Sequence, residues 1–180
     1  IKVSSAKLNR EESEEATMLL KVIGDYERIS DHAVNILDSA EELHDKKLSL
    51  TEEALKEYEV MAKAVYEVVT LTNAAFVQSD VETAAKVEPL EQVVDQLRDR
   101  LRTDHILRMQ KGKCSVEAGF VWADLLTNLE RVSDHCSNIA GYIIDSSEHN
   151  LNLHETLRKA KVSDGPYQEN YRKYAEEYQV

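Results

Sequence analysis

The sequence predicts an all-α protein: an antiparallel bundle of four long helices plus a short C-terminal helix. Two observations predict it. Glycine and proline are scarce, 5 and 2 in 180 residues, and β-branched residues form no alternating runs. Apolar residues instead recur at helical spacing through four long segments, joined by short connections that set neighbouring helices antiparallel. An apolar content of 42% is too high for a disordered acidic chain, and the length suffices for one domain with its own core.

The first helix is expected over about residues 11–43, with an apolar line of Leu19, Ile23, Tyr26, Ile29, Ala33, Ile36, Leu37 and Ala40. Ser49 and Glu52 have the spacing of a capping box that opens a second helix through Val60, Ala64, Val68, Leu71 and Ala75. Ser79 and Glu82 repeat that spacing and open a third, reaching about Gln110. Pro89 inside this pattern marks either a kink or a late start. Lys111-Gly112-Lys113 stops it. Ser115 with Glu117 starts a fourth helix that ends near Ser146 or Ser147. A weaker helical stretch covers Leu153–Ala160, and Asp164-Gly165-Pro166 then breaks the chain. Tyr167, Tyr171, Tyr174 and Tyr178 form a helical stripe in the tail. It reads as a short helix docked on the bundle, with a helix that docks onto a partner as the alternative.

The formal charge of -12 repels nucleic acid and anionic lipid headgroups. It also disfavours a bare phosphate site, so cations are the natural ligands. Cys114 and Cys136 lie far apart without a CxxC pattern, as expected of reduced thiols in a cytoplasmic compartment. No signal peptide and no apolar run near 18 residues is found, so no membrane span is expected. The Ile1 start is expected of a fragment or processed chain. Nucleotide-binding glycine loops, GxSxG and HExxH are absent.

One segment is written twice. ERISDHAVNI at 27–36 returns as ERVSDHCSNI at 130–139, an offset of 103. Across Gly24–Ile36 and Thr127–Ile139, 7 of 13 positions are identical, and the apolar framework keeps its phase. An internal duplication is the simplest cause. Glu27, Asp31 and Asn35 stack on one helical face, as do Glu130, Asp134 and Asn138. Like charges four apart on a half-buried edge repel, so something compensates them.

The third helix offers a matching stripe in Glu88, Glu91 and Asp95. If the third and fourth helices pack side by side, Glu88, Glu91, Asp95, Glu130 and Asp134 face one groove. Hard cations take such oxygen ligands. Arg98 and Arg102 continue the same stripe and could neutralise it without a metal. Both readings stay open on periodicity alone. His32 and His135 point about 100° away from the carboxylates, which favours a structural or solvent-facing role. Glu41 and His44 have the spacing of a di-iron bundle motif, but the second copy that design needs is missing. Cys136 occupies a core position, and Cys114 has no recognisable catalytic context.

Both copies resemble the LERIGDHAxNI signature of the PhoU family, with Ser30 and Ser133 where glycine is usual. The resemblance implies duplicated three-helix units whose E(D)xxxD motifs bind multinuclear iron or other divalent metal. Carried over by position, the metal residues are Glu91, Asp95, Glu130 and Asp134, with Glu27 and Asp31 as a second stripe. The metal would be iron, zinc, manganese or magnesium. The opening KVSSAKLNREESEEA, the helix order and the tail after His154 resemble the C-terminal cytoplasmic domain of bacterial sodium/phosphate cotransporter family proteins.

The resemblance therefore implies a single PhoU-like domain over 1–180. Residues 11–43 are the last helix of a first repeat, 50–147 a complete second repeat, and 153–180 an appendage. Glu27 and Asp31 then lack partner carboxylates in this chain. The expected function is non-enzymatic regulation of phosphate uptake at the inner face of the cell membrane. The expected partners are a membrane transporter domain of the same chain, a signalling protein, or a further copy of the chain. A metal-free interaction scaffold and a carboxylate-bridged oxidase are the rivals.

Overall fold

A computed structural model describes residues 9–147 and 165–180, all-helical among those residues. The expected helix at Leu153–Ala160 lies outside them. Helix α1 spans Arg10–Asp45 and opens with a capping box. The Asn9 side chain accepts from the Glu12 N–H at 2.9 Å, and Glu12 accepts from the Asn9 N–H at 2.8 Å.

Helix α2 spans Glu52–Gln78. Its cap is Thr51 rather than Ser49: Thr51 Oγ1 accepts from the Ala54 N–H at 3.2 Å. The spacing rule located the end but chose the wrong hydroxyl, because both residues offer the same oxygen. Ser79 is likewise not a cap. It closes α2 in the left-handed conformation at φ 51°, and Asp80 opens the one-turn helix α3, Val81–Ala84. Helix α4 then runs Val87–Gln110, so the expected third helix is two. Pro89 sits in the first turn of α4, where its missing N–H has no helical partner to lose. The late start is the one that forms. Gly112, at φ 68°, turns the chain into α5, Val116–Ser147, whose first turn is held by Ser115 Oγ accepting from the Ala118 N–H at 3.1 Å. Helix α6 spans Pro166–Glu177, with Gly165 as cap.

Helices α2, α4 and α5 form an up-down-up unit around Met61, Val68, Leu90, Leu101, Trp122, Leu126 and Ile139, all fully buried. Helix α1 lies on the other side of α5, antiparallel to it. Lys21 reaches the Tyr142 ring at 5.2 Å, Asn138 bonds Asp25 at 3.3 Å, and Asn35 bonds Asn128 at 3.1 Å. Helix α6 docks through the tyrosine stripe. Tyr174 and Tyr178 are buried, Tyr171 donates to Gln96 of α4 at 2.7 Å, and Tyr178 donates to Glu67 of α2.

Two expectations need correction. The apolar line of α1 is not all core. Val22 and Asp25 are buried against α5, while Leu19, Ile23, Ala33, Leu37 and Ala40 stay exposed. The stripe is wider than one interface, and among the described residues only one of its flanks is buried against a neighbour. The repeat makes the difference quantitative. Ile23, Val34 and Leu37 are 62%, 54% and 57% exposed, whereas their counterparts Leu126, Ser137 and Ala140 are 1%, 8% and 2%. The second correction concerns α2, which is long and apolar enough to cross a membrane by composition, with a mean window hydropathy of 1.3. In the bundle α2 buries Ala54, Met61, Ala64, Val68 and Ala75 as a core helix.

An ion pair invisible to the sequence reading crosslinks α2 and α4. Arg108 Nη1 and Nη2 donate to Glu57 Oε1 and Oε2 at 2.6 and 2.7 Å, with both residues buried. Removing one partner strands a buried charge. Arg108→Ala is therefore expected to cost about 3–5 kcal/mol in chemical denaturation, whereas Glu57→Leu/Arg108→Met together should cost far less. Equal losses in the two variants would contradict the pairing.

Candidate functional site

The α4–α5 interface carries the expected carboxylates. Helical stacking brings Glu88, Glu91 and Asp95 along α4, and Glu130 and Asp134 along α5, to one seam. Glu88, Glu91 and Glu130 are buried, while Asp95 and Asp134 are partly exposed. Ser137 donates to Glu88, closing the inner end. Tyr167 of α6 lies against Glu88 and Glu91; burial and those two charges push its hydroxyl well above the usual phenol range.

Arg98 sits at the centre of the seam. Its Nη1 lies 2.8 Å from Glu130 Oε1 and 3.5 Å from Asp95 Oδ1, and its Nη2 lies 3.0 Å from Asp99. Arg131 holds Asp134 at 2.8 Å and approaches Glu130 at 3.7 Å. Arg98 and Arg131 thus bridge Asp95, Asp99, Glu130 and Asp134. Asp95 Oδ1 is buried and makes only the long 3.5 Å ion pair with Arg98, without a hydrogen bond. The Glu130 carboxyl is pushed up by burial and by Asp134, against the pull of Arg98 and Arg131.

Of the expected metal residues, Asp95, Glu130 and Asp134 are linked through Arg98 and Arg131, while Glu91 is buried on α4 beside Tyr167 of α6. Glu27 and Asp31 are exposed on α1, outside that seam. Arg98 plays the neutralising role foreseen for it; Arg102 is exposed. Among the described residues no three His, Cys, Asp or Glu side chains already converge as a metal centre. The donor chemistry nevertheless fits a hard cation. The donors are all oxygen, the kind a hard cation takes, and Asp95 Oδ1 is buried without a hydrogen bond.

The PhoU domain model matches residues 2–40 and 58–143, taking in both copies of the repeated segment. This chain belongs to the PhoU family. The curated "Phosphate-specific transport system accessory protein PhoU homolog 1" of Thermotoga maritima is 32% identical to it over 140 residues. That alignment covers 78% of this chain and 59% of the relative, so the chain spans well under two thirds of the relative's length. No solved structure matches.

With the PhoU repeat in register, the histidines of the two signatures meet. The rings of His32 and His135 stack at 5.6 Å across the α1–α5 interface. His32 Nδ1 lies 2.8 Å from Asn128 Oδ1, and His135 Nδ1 lies 2.7 Å from Asp25 Oδ1. Asp25 and Asn128 are themselves repeat counterparts. Each PhoU signature histidine thus bonds the residue seven positions before the other, about a local pseudo-twofold axis. The structural role foreseen for the histidines holds. Asp25 and Asn128 were missed, although their equivalent positions in the repeat were the available signal. The Ser133 signature position is fully buried, and its hydroxyl has no hydrogen-bond partner.

The raised Glu130 carboxyl sets a pH dependence. A pKa above the ordinary 4.5 means that the folded state holds the proton more tightly than the unfolded one. Its contribution is full below that value and is lost as pH rises through the folded pKa. Glu130→Gln is expected to flatten the fall in stability as pH rises above 4.5, followed by urea denaturation. An unaltered profile in the variant would exclude Glu130 as its source.

Proposed function

We propose that this PhoU domain is a non-enzymatic regulator of phosphate transport that binds divalent metal through the α4–α5 carboxylate seam. Family membership carries the reading. The printed name of the Thermotoga relative, an accessory protein of a phosphate-specific transport system, supports the physiological setting. On this reading the domain works in the cytoplasm, at the inner face of the membrane, against a sodium-dependent phosphate transporter. The uncovered flank of α1 supports a docking role, since its repeat counterparts on α5 are buried.

Glu91, Asp95, Glu130 and Asp134 would hold the ion, with Glu88 behind them. The ion would supply positive charge at the seam, and with it a means for an acidic domain to meet phosphate. Arg98 neutralises part of the seam in its place, so the guanidinium and the ion are competitors. Glu27 and Asp31 form the second stripe and lack partner carboxylates on α1.

Elemental analysis of untagged protein beside Glu130→Ala/Asp134→Ala tests the metal. Near-stoichiometric iron, manganese or zinc in the parent and none in the variant is expected. Arg98→Gln should bind the same metal at least as tightly. The second reading, a metal-free docking scaffold, is favoured by the Arg98 bridges. It predicts a parent that stays empty on reconstitution and a melting temperature indifferent to chelator. Regulation is tested separately, by phosphate uptake in cells lacking their own PhoU protein. The chain should alter uptake, and unchanged uptake at verified expression would overturn the regulatory reading.

A further inference from the structure

At the far end of the same helix pair, where α4 turns into α5, lies a cluster that the carboxylate seam does not use. His105 is buried and its Nε2 lies 3.6 Å from Cys114 Sγ. Met109, one turn along α4, sends its thioether to the same spot. Gly119 of α5 leaves the notch open: a Cβ there would lie 2.6 Å from Met109 Sδ and 3.2 Å from His105 Nε2. The other ring nitrogen, His105 Nδ1, is buried without a hydrogen-bond partner. Cys114 is half-buried, so the notch is reachable from solvent.

We propose that His105, Met109 and Cys114 form a binding site for a soft monovalent metal ion, Cu(I) by chemistry. Imidazole, thioether and thiolate together are the donor set that selects Cu(I); divalent zinc rarely takes a thioether. The spacing is right. Nitrogen and sulfur ligands at about 2.0–2.3 Å from one ion lie about 3.6 Å apart at tetrahedral to trigonal angles. The separation of Sγ and Nε2 therefore needs little change beyond loss of the thiol proton.

Charge favours the same ion. Arg108 lies close enough to Cys114 for their charges to interact. One thiolate neutralises a monovalent cation fully, whereas a divalent ion would leave a net positive charge in a half-buried notch whose nearby Arg108 is already matched by Glu57.

Trp122 provides the readout. It is the only tryptophan in the chain, and its ring stacks on His105 at 5.7 Å. Acetonitrile-stabilised Cu(I) is titrated anaerobically into the full chain with bicinchoninate as competitor, and tryptophan emission is followed. One equivalent should quench the emission and be withheld from the competitor. Losing an outer-shell partner costs about 10–100-fold in metal affinity, and Met109→Leu, which removes a ligand, is expected to cost at least that. Cys114→Ser should lose more, and Cys136→Ala, which removes the other thiol, nothing. Circular dichroism of each variant verifies its fold. Failure to compete with bicinchoninate, one-equivalent binding that survives Cys114→Ser, or tighter binding of Zn(II) than of Cu(I) would each overturn the assignment.

Discussion

Burial of α5 from two opposite sides is the constraint on which the bundle depends. Helices α2, α3 and α4 cover one side, and α1 covers the other. A helix enclosed in this way must be apolar or small over most of its circumference. The buried positions of α5 accordingly include Ala118, Gly119, Ser133, Cys136, Ser137, Ala140 and Gly141 between the larger Trp122, Leu126 and Ile139. Most polar residues there have partners, the fully buried Ser133 hydroxyl being an exception. Glu130 faces Arg98, Ser137 faces Glu88, and His135 faces Asp25. The two polar seams, one on each side of α5, are therefore features of a single helix.

The seam toward α4 and the seam toward α1 differ in kind. Toward α1, each signature histidine finds its acceptor in the other copy, so the polar groups satisfy one another. Toward α4, the groups are charged, and Arg98 bridges Asp95 and Glu130 across the two helices. Burial of Glu88, Glu91 and Glu130 separates this seam from an ordinary surface salt-bridge network.

The architecture was legible because helical period is a strong signal over long segments. The four long helices, the two phases of the repeat and the docked tyrosine tail all follow from it. Precise ends were less legible: Ser49, Thr51, Ser79 and Asp80 carry equivalent capping oxygens, and only the folded backbone chooses among them. The core face of α1 was overread, because apolar character says that a residue can be buried and not that a neighbour is there to bury it. Contacts between distant residues were the least legible. Glu57 with Arg108, and His105 with Cys114 and Met109, are joined by the crossing of helices or by a turn. In the first case a charge on an otherwise apolar stripe was the available hint, and in the second a glycine at the helix contact.

The one-sided attachment of α1 also bears on how the molecule comes apart. At 36 residues α1 is the longest helix, yet it is anchored chiefly along one line on α5, with Tyr26 adding a bond to Asn73 of α2 at 2.7 Å. The unit of α2, α4 and α5 keeps its shared core whether or not α1 is seated. Breaking the histidine seam would expose apolar surface on only one side of α5. Opening at α1 therefore breaks one large interface and leaves the core of α2, α4 and α5 in place. The duplicated helices differ in connection: α5 meets every other long helix, whereas α1 is tied mainly to α5.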